Sequence, residues 1–189
     1  GAKVRKLHSS RRDAFKVVND KPIAKIFPDK LELMREHKFR NKGEVKTDLK
    51  FEKKIALLKV YPGQEPAILD YYLKNKYKGI VLEMSGLGHA PTKRARNAWT
   101  KKLKEVQDKG LIICGVSQCI FGRVDPLVYS NGRELLETGI IYLEDMLAET
   151  AFVKLGCVLG HKEWSKSKEM IKEKMLENFA GELSDRLEE

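Results

Sequence analysis

The chain has 189 residues, enough for one full domain or for one domain and part of another. Apolar residues make up 42%, which is enough for a sizeable core, and no run approaches the roughly 20 apolar residues of a membrane span. Charged residues reach 34% with a net charge of +10, which leaves nucleic acid or another polyanion open as a partner beside the plainer reading of a solvated Lys/Glu surface, the bias of heat-adapted proteins.

Residues 1–20 are polar and basic, with Phe15, Val17 and Val18 as apolar anchors. The start at Gly-Ala without Met, and without a signal peptide, gives the expectation of a processed or truncated chain. Residues 22–27 and 31–35 read as short strands around a Pro28-Asp29-Lys30 turn. Residues 39–54 are charged and only weakly alternating, an exposed hairpin or linker turning near Asn41-Lys42-Gly43.

From residue 55 the pattern becomes regular. Strands are predicted over 55–61, 79–84 and 111–116, and helices over 64–75 and 95–109. In the second helix Ala95, Trp99, Leu103 and Val106 share one face, and Gly110 suits the position just past its end. A polar loop over 117–131, a short helix over 132–138 and a brief strand over 140–142 follow. Glu144 and Asp145 fit the first turn of a helix that runs to Leu159 and aligns Leu147, Ala151, Leu155 and Val158. A last helix over 162–179 has Trp164, Ile171, Met175 and Phe179 as its core side. Strand–helix alternation predicts an α/β fold with a parallel sheet, and a boundary near residues 50–55. Residues 1–52 are expected to be the end of a larger domain plus a linker, and 53–189 a C-terminal α/β domain.

The cysteines, Cys114, Cys119 and Cys157, are odd in number and lack C-x-x-C spacing, so reduced thiols in an intracellular, cytoplasmic protein are expected. The four histidines show no metal-ligand spacing, no metal site is predicted, and His37 and His161 read as surface residues.

Ligands in open α/β sheets bind at the carboxyl ends of the strands, which selects two loops here. Gly86-Leu87-Gly88-His89 follows the strand over 79–84; its glycines permit a sharp turn and close approach of a ligand, and His89 is then placed to donate. A plain strand-to-helix turn with a surface histidine accounts for the same residues. The spacing is not G-x-G-x-x-G, so no nucleotide site is predicted. Ser117 and Gln118, leaving the strand over 111–116, can hydrogen-bond a small polar substrate. Arg123 and Arg133 fit either a carboxylate or surface acids such as Asp125 and Glu137. Lys6 lies among Arg5, Arg11 and Arg12; crowded cations and partial burial are one route to a catalytic amine, and a solvated basic tail is the other reading.

The phrases HSSRRDAF (8–15), KGIVLEMSGLGHAP (78–91), SQCIFGRVDPLVYSNGRELLETG (117–139) and EDMLAETAFVKLGCVLG (144–160) keep their order along nearly the whole chain. Together they resemble the asparaginase/glutaminase family of amidohydrolases, and within it the D-subunit branch of archaeal glutamyl-tRNA(Gln) amidotransferases. The resemblance implies a larger α/β domain, a linker and a smaller C-terminal α/β domain, with the active site where the two meet. It implies amide cleavage by a Thr nucleophile, assisted by a second Thr, an Asp and a Lys. Of these only the Lys carries over, onto Lys6, as the group that helps to take the nucleophile's proton. The glycine turn carries over onto Gly86, Gly88 and His89, although Met84-Ser85 stands where the family usually has Gly-Thr.

The threonines, Thr47, Thr92, Thr100, Thr138 and Thr150, lie in neither a Thr-Asp-Thr nor a Gly-Gly-Thr context. These residues alone are therefore expected not to hydrolyse glutamine or asparagine. The expected partners are the amidotransferase's B subunit, tRNA in the assembled complex, a small amide substrate and a second copy of the chain in a homodimer. The expected cofactors are none on this chain, with ATP and magnesium on the partner subunit. Two other readings are a fragment of a cytoplasmic L-asparaginase and a non-catalytic docking module.

Overall fold

The computed structural model describes residues 1–37, 39–185 and 187. Two antiparallel hairpins open it: β1 (Val4–Lys6) with β2 (Phe15–Val17), and β3 (Ala24–Ile26) with β4 (Leu31–Leu33). The basic segment at the start of the chain is thus a paired strand, with Lys3 buried just before it and Lys6 exposed at its end. Residues 39–50 are exposed and carry no strand or helix among the described residues, so they form a linker and not a hairpin.

A four-stranded parallel sheet follows in the order β5 (Ile55–Lys59), β6 (Gly79–Met84), β7 (Ile112–Ser117), β8 (Ile141–Tyr142). Alternation along β6 and β7 feeds two cores. Ile80, Leu82, Met84 and Ile113 pack on one side with α1 (Ile68–Lys74), α2 (Thr100–Asp108) and α3 (Ser130–Leu136). Val81, Cys114 and Val116 pack on the other with α4 (Ala148–Gly160) and α5 (Lys168–Leu176). Both faces of the central strands are therefore dry, as their near-continuous apolar runs require.

Gly110 has φ +91° and closes α2 as expected: its N–H donates to Gln107 O at 2.9 Å and Leu111 N–H donates to Val106 O at 3.1 Å. That pair of bonds is the Schellman arrangement, which satisfies two otherwise unpaired carbonyls.

Several boundaries differ from the sequence expectation. The first two helices start late, at Ile68 and Thr100, because turns over 61–64 and 92–95, closed by Gln64 N–H to Tyr61 O and Ala95 N–H to Thr92 O, precede them. α5 starts at 168 and not 162, because Trp164 and Ser165 N–H both donate to His161 O, and Ser167 caps the helix by accepting from Met170 N–H at 3.2 Å.

His161 is a correction: it is 2% exposed and stacks on Trp164 with ring centroids 3.8 Å apart. Nδ1 lies 2.7 Å from Cys157 O and Nε2 lies 2.7 Å from an Asp48 carboxylate oxygen. Burial disfavours the charged ring, but the two acceptors outweigh it and raise the pKa. The ring thereby anchors the linker to the end of α4. Just beyond it, Phe51 lies over Gly156 and Glu52 N–H donates to Gly156 O at 2.8 Å.

Glu144 and Asp145 are a second correction. They precede the first turn of α4, separated from it by Met146 and Leu147; Glu144 has φ +53°, and Asp145 is buried in an ion pair.

Candidate functional site

The carboxyl ends of β6 and β7 carry five of the six predicted site residues. After Met84 the chain turns sharply over 85–89. Ser85 N–H and Oγ–H donate to His89 O at 3.0 and 3.1 Å, and Gly88 and His89 N–H donate back to Ser85 O at 3.0 and 2.8 Å. Gly86 and Gly88 have φ +51° and +95°, values that exclude most side chains. A Cβ on Gly88 would also stand 2.6 Å from Tyr142 Cε1.

Neighbouring elements hold this bend in place. Tyr142 OH donates to Gly88 O at 3.0 Å from β8, and Asp125 N–H donates to Leu87 O at 3.0 Å. Ser117 Oγ–H donates to Gly86 O at 2.6 Å and accepts from Cys119 N–H at 3.0 Å. Gln118 Nε2 donates to Val60 O and to Glu83 O, binding the ends of β5 and β6. The Ser117 hydroxyl and the Gln118 amide donors are thus committed to the shape of the loops. His89 differs. It is half-buried, its ring is 5.6 Å from that of Tyr129, and its Nε2 is enclosed without a hydrogen-bond partner among the described residues.

Lys6 lies apart. It is exposed on β1, with Nζ 5.8 Å from the Phe15 ring centroid, and forms no hydrogen bond or ion pair with the other five among the described residues. The hairpin that carries it is fastened to the sheet's carboxyl end all the same. Lys3 Nζ pairs with Asp145, Thr150 Oγ1–H donates to Ala2 O at 2.6 Å, and Arg5 meets Glu149 at 3.1 Å. Asn19 exchanges two bonds with the Gly122 backbone at 2.8 and 2.9 Å. Between the hairpin and the sheet runs a narrow cleft lined by Arg5, Asn19, Ser117, Cys119, Gly122 and Glu144. Arg123 donates to Ser184 O at 2.8 Å and pairs with Glu144 at 3.4 Å. Arg133 donates to Leu127 O at 2.6 Å.

Lys3, Asp145 and Ser184 are the residues that sequence reasoning passed over. Lys3 lay among other basic residues, and Asp145 fitted an ordinary helix start. A contact spanning 142 positions leaves no local pattern to read.

Among the described residues no group of three or more His, Cys, Asp or Glu side chains is placed to hold a metal ion, and no helix is long and apolar enough to cross a membrane. The cysteines are free; Cys114 is buried, Cys119 exposed and Cys157 between the two.

Comparison with known proteins follows this architecture. Residues 54–175 match the glutaminase/asparaginase C-terminal domain family. The D subunit of the glutamyl-tRNA(Gln) amidotransferase of Thermococcus kodakarensis is 48% identical over 97% of this chain and 40% of its own length, and that of Methanococcus maripaludis is 45% identical over 98% and 43%. The chain thus spans about two fifths of the curated relatives it matches. Among solved structures, the thermostable L-asparaginase from Thermococcus kodakarensis superposes with a TM-score of 0.84 at 29% identity, over 98% of this chain and 54% of that one. L-asparaginase I from Vibrio cholerae gives 0.79 at 26%, over 97% and 54%. With its parallel sheet and flanking helices, the chain belongs to the glutaminase/asparaginase family and carries that family's C-terminal domain.

Proposed function

We propose that this chain is the C-terminal part of a glutaminase subunit that releases ammonia from an amide side chain for conversion of Glu-tRNA(Gln) to Gln-tRNA(Gln). The observation that carries the reading is the contrast between two relatives from one organism. Nearly the whole chain aligns with the Thermococcus kodakarensis amidotransferase D subunit at 48% identity, and with the L-asparaginase of the same species at 29%. In this reading Lys6 helps to take a proton from a threonine nucleophile supplied by the region that precedes it in the relatives. The Gly86–His89 bend borders the amide. Water then completes the reaction, giving the acid and ammonia.

The partners in this reading are the amidotransferase's B subunit, with ATP and magnesium bound there, the acceptor tRNA and a second copy of the chain, in the cytoplasm. The test is the full-length protein purified with and without the B subunit. Ammonia release from glutamine that rises with the B subunit and Glu-tRNA(Gln) bears the proposal out. Partner-independent hydrolysis that favours asparagine contradicts it and selects the L-asparaginase reading, which the TM-score of 0.84 to an L-asparaginase favours.

A further inference from the structure

Asp145 joins three stretches of chain that are remote in sequence. Its Oδ2 accepts from Lys3 Nζ, its Oδ1 accepts from Ser184 N–H at 3.0 Å, and Lys3 Nζ also donates to Ser184 Oγ. The two charged side chains are withdrawn from solvent, at 5% and 0% exposure. The turn that delivers Asp145 passes through Glu144 in the left-handed region, at φ +53°, a conformation that costs a non-glycine residue. A buried ion pair adds little net stability over apolar packing of the same volume, so stability alone does not account for placing one behind such a turn.

Its placement suggests what it does. Lys3 immediately precedes β1, and Lys6 ends that strand three residues on, about 10 Å along it. The register Val4↔Val17 to Lys6↔Phe15 makes the hairpin one unit, so displacement at Lys3 carries to Lys6. Two further fastenings, Thr150 to Ala2 O and Asn19 to Gly122, lie at the same end of the hairpin; the second charged contact, Arg5 with Glu149, is partly exposed, which leaves Lys3–Asp145 as the buried charged pin.

We infer that Asp145 is a positioning residue for amide hydrolysis: with Lys3 and Ser184 it fixes the β1–β2 hairpin against the carboxyl ends of β7 and β8, and so sets where Lys6 stands. The inference rests on the proposed role of Lys6.

The experiment uses the full-length protein in its complex and measures kcat and KM for the amide substrate, per molecule of folded protein. Asp145→Asn and Lys3→Met are each expected to lower kcat at least tenfold with KM within twofold of the parent. The double variant is expected to be no worse than the worse single one, because both remove the same pin. Ser184→Ala keeps the ion pair and is expected to fold normally and lower kcat at least threefold, which decides the matter if the other variants do not fold. A lowered melting temperature with kcat per folded molecule unchanged means a structural role only and overturns the inference. Lys6→Ala in the same protein separates the two claims. If it keeps the parental rate, the proposed role of Lys6 fails and the inference with it. If it abolishes hydrolysis while Asp145→Asn, Lys3→Met and Ser184→Ala all keep kcat within twofold, the positioning inference alone falls.

Discussion

At Gly88 the backbone has φ +95° and the Tyr142 ring stands where a Cβ would go. Gly88→Ala is therefore expected to lose about 1–3 kcal/mol, read as a lower urea midpoint with an unchanged slope. Glu182, which is 2% exposed, carries a second residue-scale expectation. Burial would raise its pKa, but the Lys154 ammonium at 2.6 Å and the N–H groups of Phe179 and Ala180 hold it down, to about 2 against an ordinary value of 4.5. A carboxylate depressed on folding stabilises the fold above its unfolded pKa and ceases to do so as pH falls through the folded one. Stability should thus decline between about pH 4.5 and 2, and Glu182→Gln should flatten that part of a melting-temperature profile. The thiols divide just as plainly. Burial pushes Cys114 up to about 12 and holds it in the core, whereas Cys119 is exposed. Under native conditions a maleimide should label Cys119 and leave Cys114 unmodified until the chain unfolds.

The elements show which parts of the structure could be read from the residues. The strand at 79–84 and the dry face of Trp99, Leu103 and Val106 were legible because a near-continuous apolar run and helical spacing are local patterns. The helix starts were not. A local turn closed on His161 O and the Ser167 cap shortened α5, and the turn at 92–95 left Ala95 exposed. His161 read as a surface residue because the carboxylate that makes its burial tolerable, Asp48, stands 113 positions away. At the site, the glycine bend was legible in its spacing. The pinning of its Gly86 carbonyl by Ser117 was not, nor was the anchoring of the Lys6 hairpin through Asp145. The notch in α4 gives an element-scale test. A Cβ on Gly156 would meet Phe51 Cζ at 2.2 Å, so Gly156→Val should lift Phe51 and the linker from the helix. Trypsin should then cut faster at Lys42 and Lys46 than in the parent, while far-UV dichroism stays the same.

Over the whole molecule, a three-layer α/β domain presents its strand ends and glycine bend beside a hairpin held by one buried ion pair. The hairpin region keeps a groove of about 610 Å³ lined by Val4, Phe15, Ile26 and Phe27, and Phe15 and Ile26 are 66% and 80% exposed. Such apolar surface suits contact with further protein. In the proposed reading, that protein is the region that brings the nucleophile to Lys6. The most direct measurement is ammonia release from glutamine by this 189-residue chain, alone and after mixing with the separately expressed region that the proposed reading places before it. The account predicts no release by the chain alone and recovery on mixing; release by the chain alone at the rate of a complete amidohydrolase would contradict it.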